Sequence, residues 1–178
     1  MTANSTSIPV TLLSTPLCID PKGNEGLNPQ KTEPTNPLYS LDKQQSSLVY
    51  YDKNTIVLTM PYWVKVTNSS VEDSEVKKHS FVLSYDPEAM TASDTKLKLY
   101  ISHVVEDAGE TVTRSNFTYA YRAYSIRAAL AAFKEKTGKL PKYLELTAEI
   151  NNSKDELVDK DGKETSVERS VEYDYAFT

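Results

Sequence analysis

The sequence predicts a mainly β, α+β fold: an antiparallel β-sandwich or barrel of about eight strands, with one amphipathic helix near 125–137 and an extended N-terminal arm. Three observations predict it. From Ser47 onward, segments with period-two alternation follow one another. Twelve tyrosines against five glycines favour pleated sheet and leave little glycine for phosphate-cradling loops. One window alone switches to a helical stripe, with Ile126, Ala129, Leu130 and Phe133 at i, i+3, i+4 and i+7.

Residues 1–46 differ from the rest and are read as a Pro-rich arm outside a single β domain at 47–178. Six of the nine prolines lie there: Pro9, Pro16, Pro21, Pro29, Pro34 and Pro37. An apolar run at 8–13 suits an edge strand, because Pro9 cannot donate to a ladder. Residues 16–45 show neither period, which fits a flexible tail, or an extended arm that docks on a neighbouring subunit, better than a loop inside a compact domain.

Leu48 and Tyr50 open the first strand. Residues 55–67 carry Ile56, Leu58, Met60, Tyr62, Val64 and Val66 on one face, with Val57 and Trp63 on the other, as in a central strand. Pro61 predicts a bulge or bend there. Residues 68–77 read as a polar, acidic turn. His79, Phe81, Leu83 and Tyr85 alternate up to Asp86-Pro87. Leu97, Leu99, Ile101, His103 and Val105 form a half-buried strand, followed by a turn at 107–110. Residues 111–121 make the next, with Phe117, Tyr119 and Tyr121 on one face.

Helix signals converge at 125–137. Ser125 can cap it, Lys134 and Lys136 suit the negative end of the dipole, Gly138 suits the exit, and Pro141 follows. Leu144, Leu146, Ala148 and Ile150 then alternate, as do Val167, Arg169, Val171, Tyr173, Tyr175 and Phe177. The two segments predict a long hairpin around a charged connection.

Net charge is −5 and the pI about 5.1, which excludes a basic field over the whole surface. Cys18 is the sole cysteine, so no internal disulfide or cysteine-rich zinc site exists, and it reads as a small hydrophobe. Residues 1–7 lack a signal-peptide pattern and no apolar run spans a membrane, so cytoplasmic synthesis is expected. The N-x-S/T triplets at Asn4, Asn68, Asn116 and Asn151 then carry no glycan.

The catalytic patterns fail. No nucleophile elbow, zinc-binding H-E-x-x-H, Walker loop or dinucleotide fingerprint occurs. Asp159, Asp161, Gly162 and Glu168 match four EF-hand positions, but Leu157 stands at the first and strands flank the loop. His79 and His103 fall on the apolar faces of their strands, where boundary histidines are ordinary. A cleft that joined them to a carboxylate would point to an enzyme. No enzyme, cofactor or metal is expected.

Residues 111–140 hold three of the four arginines. Arg114, Arg122, Arg127, Lys134, Lys136 and Lys139 oppose Glu135 alone, giving +5, so the remainder carries −10. Phe117, Tyr119, Tyr121 and Tyr124 interleave with the arginines, as in a core strand whose tyrosines pack under the helix while its arginines snorkel outward, at a protein interface, or in a single-strand nucleic-acid groove. Residues 151–178 carry eight acids against four bases. Opposite patches suit head-to-tail self-association, and the alternating Tyr173, Tyr175 and Phe177 suit strand donation.

The leading expectation is therefore a non-enzymatic structural protein that self-assembles: a virion component such as a phage tail-tube, capsid or decoration protein. Its partners would be copies of itself or other assembly subunits, with no membrane. The alternatives are a single-stranded nucleic-acid binder using residues 114–127, and a small ligand- or glycan-binding β module with Trp63 as a platform.

Overall fold

A computed structural model describes residues 36–107, 112–153 and 166–177. The element order among them is β1 (Ser47–Asp52), β2 (Thr55–Val64), α1 (Asp73–Val76), β3 (His79–Ser84), β4 (Lys96–Val105), β5 (Asn116–Ser125), α2 (Arg127–Thr137), β6 (Tyr143–Ile150) and β7 (Val167–Asp174). The strands form a three-stranded sheet, β1-β2-β5, and a four-stranded sheet, β3-β4-β6-β7. The fold is a sandwich, mostly β as expected, and the barrel alternative does not close. One pair departs from antiparallel: β4 and β6 run parallel. Parallel neighbours need a crossover. The chain supplies it by passing to the other sheet as β5 and returning through α2.

Local chemistry explains the joints. The β1–β2 turn is fixed by the Asn54 N–H donating to Asp52 Oδ1 at 2.7 Å. Asn68 and Ser69 both take positive φ, 51° and 65°, between the reciprocally bonded Thr67 and Ser70. Two consecutive positive φ values define the tight hairpin turn that matches strand twist. The segment expected as a polar turn also contains α1, one helical turn.

Two expectations need correction. Pro61 makes no bulge. Its carbonyl accepts the Tyr39 N–H at 3.0 Å, and a strand residue's nitrogen and carbonyl point to the same edge. The missing donor therefore faces away from β5, and the β2–β5 register runs unbroken through Pro61↔Tyr119. The irregularity lies in β1 instead, between Tyr50 and Asp52. Ser125 does not cap α2. It remains in β5, paired with Thr55, and the helix starts at Arg127. The Ile126 N–H is satisfied by the Asn54 carbonyl at 2.7 Å. The helix ends as expected, with Gly138 in the left-handed region at φ 75° and its N–H on the Lys134 carbonyl.

The core lies between the sheets. β2 contributes Ile56, Leu58, Met60, Tyr62 and Val64, β4 Leu97, Leu99 and Ile101, and β6 Leu144, Leu146, Ala148 and Ile150. The predicted helical stripe closes one side: Ile126, Ala129, Leu130 and Phe133 are all buried.

Of the expected arm, residues 1–35 lie outside the described residues, and with them Cys18, Asn4 and the 8–13 run. Residues 36–46 pack as part of the domain, with Leu38, Leu41 and Ser46 buried. The Leu38 N–H donates to Glu149 O in one sheet, and the Tyr39 N–H to Pro61 O in the other. Residues 36–40 are thus a strap across both sheets.

At the opposite terminus β6 and β7 pair along their whole length, as the long hairpin predicted. Beyond it the aromatics fold back on β1. Tyr50 Oη donates to Asp174 O at 2.8 Å, Tyr173 Oη to Ser46 O at 3.3 Å, and Tyr175 Oη to Lys53 O at 2.7 Å. Burial, with Tyr175 and Asp174 nearby, pushes the Tyr50 hydroxyl above its ordinary range. Tyr175→Phe should therefore lower the unfolding free energy by about 1 kcal/mol, and Tyr175→Ala by about 3 kcal/mol or more. Urea denaturation monitored by Trp63 fluorescence measures both.

Candidate functional site

The densest polar chemistry among the described residues lies at one end of the core. Inward rows of β3 and β4 end in His79 and His103 instead of carbon. Register places His103 opposite Phe81, and His79 opposite Val105, so the histidines are diagonal neighbours. They are 4% and 2% exposed. Their rings lie nearly parallel with centroids 5.1 Å apart, and His103 stacks on Phe81 at 4.8 Å. Tyr62 of β2 meets both rings edge-on or tilted.

A line of polar contacts runs through the pair. His79 Nδ1 lies 2.8 Å from His103 Nε2, and His79 Nε2 lies 3.2 Å from Glu75 Oε1. At the far end His103 Nδ1 faces the Pro37 carbonyl at 3.4 Å. α1 presents Glu75 one helical turn before His79. The same Glu75 Oε1 accepts the Lys65 N–H at 2.9 Å and Arg114 Nε at 2.7 Å. Arg114 in turn grips Asp107 through both terminal nitrogens at 2.7 Å, and Lys78 reaches Asp107 at 3.4 Å. Two carboxylates thus meet two cations. Such bidentate, charge-assisted contacts are the strong kind.

The protonation states follow. Burial opposes charge on Glu75, but the bonds from Lys65, Arg114 and His79 outweigh it and hold the carboxyl below its ordinary range. Arg114 holds Asp107 below its range too. Burial lowers His79 despite Glu75, and lowers His103 to about 3 through desolvation, the neighbouring His79 and Arg114. Both imidazoles are therefore neutral near pH 7. Since Glu75 is an acceptor, His79 carries its proton on Nε2, leaving Nδ1 to accept from His103 Nε2–H.

The arrangement can hold or relay a proton. It is not the cleft that would point to catalysis, because both rings are enclosed. Among the described residues, those that bound the open depression are Ile150, Asn151, Asn152, Ser166 and Val167, none of them ionisable. No described group of three or more His, Cys, Asp or Glu residues is placed to hold a metal.

The expected Arg/Tyr window is split rather than gathered. Arg114 belongs to the network. Arg122 points inward, 7% exposed, with its guanidinium 5.2 Å from the Phe81 ring centre. Tyr124 is buried and donates to Phe81 O. Phe117 and Tyr119 lie on the outer sheet face, exposed, with Tyr121 half-buried beside them, and Arg127 is exposed at the helix start. Residues on opposite faces of one strand cannot line one groove. Trp63 is no platform either: it is 3% exposed, packs against Tyr39 and donates to Asn151 O. Tyr173 and Tyr175 pack inward and only Phe177 of that trio is exposed. The EF-like positions 157–162 lie outside the described residues.

Sequence reading named both histidines but missed Glu75 and Asp107 as their partners. The available signal was spacing: each carboxylate sits four residues from a histidine, Glu75 before His79 and Asp107 after His103. Arg114→Met, which leaves both carboxylates facing each other without the guanidinium, should cost about 3 kcal/mol. Lys96→Met, which breaks an exposed ion pair with Glu145 and Glu172, should leave the denaturation midpoint unchanged. Equal effects of the two would refute the assignment.

No protein family and no curated protein matches this chain. Among solved structures it is similar to a Bacteroides fragilis NCTC 9343 protein described as a "putative lipoprotein". The two are 27% identical with a TM-score of 0.65, over 84% of this chain and 68% of the other. Fainter likenesses, both at a TM-score of 0.41, are an uncharacterized Parabacteroides merdae ATCC 43184 protein (13% identity, 80% and 63% of the two chains) and a Bacteroides vulgatus ATCC 8482 protein of unknown function (10%, 85% and 55%). The Bacteroides fragilis protein is described as a lipoprotein and not as a virion component, and the expectation of a self-assembling tail-tube, capsid or decoration protein is overturned. No helix among the described residues is long and apolar enough to cross a membrane.

Proposed function

We propose that this chain is a non-catalytic β-sandwich domain of a membrane-anchored or secreted protein, working outside the cytoplasm. The observation that carries the reading is the likeness to the Bacteroides fragilis protein: 27% identity at a TM-score of 0.65 over 84% of this chain. The non-catalytic part is supported by the histidines, whose ring nitrogens are engaged inside the core.

The working surface in this reading is the outer face of β1-β2-β5. Register sets Val49, Val57 and Ala123 in one row, Thr59 and Tyr121 in the next, then Pro61 and Tyr119, then Trp63 and Phe117. Tyr39 stacks on Phe117 at 4.1 Å. Tyr51 is 80% exposed nearby. Pro61 and Trp63 are themselves buried, but Val49, Phe117 and Tyr119 stand exposed, and exposed apolar side chains grouped on one face mark a place where something binds. The outer face of the other sheet is ionic by contrast, with Lys98, Glu145 and Glu172 in register.

Fractionation of the native cells with an antibody to the domain tests the location. Protein in the envelope or the medium is expected, and protein confined to the soluble cytosol defeats the reading. A photo-crosslinking residue at Tyr119 should give adducts in the native envelope while one at Glu168, on the ionic face, does not. Equal yields would remove the face assignment.

A further inference from the structure

We propose that the outer edge of β5 is a docking site for an extended peptide segment of a partner protein, which adds to the sheet β1-β2-β5 as a further strand and lays apolar side chains beside Phe117 and Tyr119. The inference deepens the proposed function and rests on its reading of this sheet as the working side.

Register decides which backbone groups face outward. β5 ends the order β1-β2-β5. The Pro61 carbonyl is bonded by Tyr39 on the side of β2 away from β5. Thr59, Pro61 and Trp63 therefore turn their backbone groups away from β5, and Leu58, Met60 and Tyr62 bond to it through Arg122, Ala120 and Thr118. The residues between, Phe117, Tyr119 and Tyr121, must then point N–H and C=O out of the sheet edge. The Tyr121 carbonyl accordingly goes to Arg122 Nη1 at 3.0 Å instead of to β2. Among the described residues, the N–H groups of Phe117, Tyr119 and Tyr121 and the carbonyls of Phe117 and Tyr119 meet no partner.

The other edges are closed or blunted. C-terminal tyrosines reach the backbone around β1 at Ser46 and Lys53, and β1 itself loses register after Tyr50. On β3 the Phe81 carbonyl is taken by Tyr124 Oη at 2.8 Å. β7 carries Glu168, Arg169, Glu172 and Asp174. Such devices keep an edge from pairing with another chain. β5 lacks them over residues 116–121, which contain no proline and no charge, and its register with β2 is unbroken. Threonine and aromatic rings there are residue types that suit a paired strand.

A line of alternating backbone donors and acceptors selects another backbone, not a phosphate or a base. Phe117 and Tyr119 stand exposed on the outer face beside that line. Every second side chain of an incoming strand lies against those rings. The fit is an extended peptide whose alternate residues are apolar.

Purified full chain tests this. Amide exchange by NMR should alternate along β5: Phe117, Tyr119 and Tyr121 near intrinsic rates, Thr118, Ala120 and Arg122 slower by about 100-fold or more. The probe is the tightest peptide selected from a displayed library of short random sequences. Its binding should slow exchange at Phe117, Tyr119 and Tyr121. N-methylation of that peptide should lower affinity roughly 10-fold at alternate positions, whose N–H meets β5, and leave it unchanged at the positions between. Tyr119→Pro removes one outward donor without touching the β2 ladder and should lower affinity by a similar factor. The methyl scan needs no variant and decides the matter if Tyr119→Pro fails to fold. Outward amides already protected in the isolated chain, or protected through a dimer as it is concentrated, would give the edge to this chain or to a second copy and overturn the proposal. So would a selection that returns no binder, or a binder whose methyl scan does not alternate. None of these readouts uses cellular location or photo-crosslinking, so failure here is distinguishable from failure of the proposed function.

Discussion

Glu75 Oε1 receives a backbone N–H, a guanidinium nitrogen and an imidazole nitrogen in a place water scarcely reaches. Much else depends on that oxygen. A carboxylate taken out of water costs several kcal/mol unless its lone pairs are met and its charge opposed. Glu75 has both, which is why a four-residue helix can persist between β2 and β3. Such a helix is too short to be stable alone. It is held by its side chain. Through Glu75 the helix is joined to His79 on β3, to the end of β2 at Lys65, and to Arg114 at the entrance to β5. Arg114 then draws in Asp107 at the exit of β4. One small ion network thereby fixes four chain segments at one end of the sandwich.

The remaining attachments between sheets use a different device. Tyrosine hydroxyls from β1 and the C-terminal segment reach backbone carbonyls across the gap, and the strap bonds by its own amides to both sheets. Tyrosine suits this work because its ring fills the core and its hydroxyl still finds a polar partner at the rim. This accounts for the tyrosine-rich composition without an assembly role. Tyr173 and Tyr175 of the C-terminal segment are committed within the domain, to Ser46 and Lys53.

Much of the fold was legible because its signals are local and periodic. Ile126, Ala129, Leu130 and Phe133 announce a helix face, and β6 and β7 announce their pairing by matched alternation. Pro61 misled because a proline's effect depends on which edge its nitrogen faces, a fact set by the neighbouring strand. The parallel β4–β6 pair was invisible for the same reason: it arises from where α2 sends the chain. The site was half legible. Parity placed His79 and His103 inward, but Glu75 sits in a segment with no period at all, and only three-dimensional closure brings it to the rings. Arg114 and Arg122 misled most. Read as one basic window with the aromatics, they are in fact consumed inside the domain, Arg114 by Glu75 and Asp107 ahead of β5 and Arg122 against Phe81, away from the exposed Phe117 and Tyr119. Net charge over a stretch of sequence says nothing about which face bears it.

That last point bears on what the domain offers its surroundings. The two outer faces differ in kind. Over β4, β6 and β7, Lys96 pairs with Glu145 and Glu172, and Thr147 bonds Ser170 across the strands at 2.8 Å. Such cross-strand polar pairs satisfy one another and leave a surface content in water. Over β1, β2 and β5 one row carries a like pair, Ser47 bonded to Thr59 at 3.0 Å, but the other rows there are valine, alanine, proline and aromatic rings and hold no charge. Folding does not require this difference, because either face is outside the core and neither Tyr51 nor Phe117 is needed to fill it. The asymmetry is therefore a property of the surface itself. In the proposed reading the contact side of the sandwich is the one opposite the ionic sheet, with the strap residue Tyr39 at its corner, stacked on Phe117.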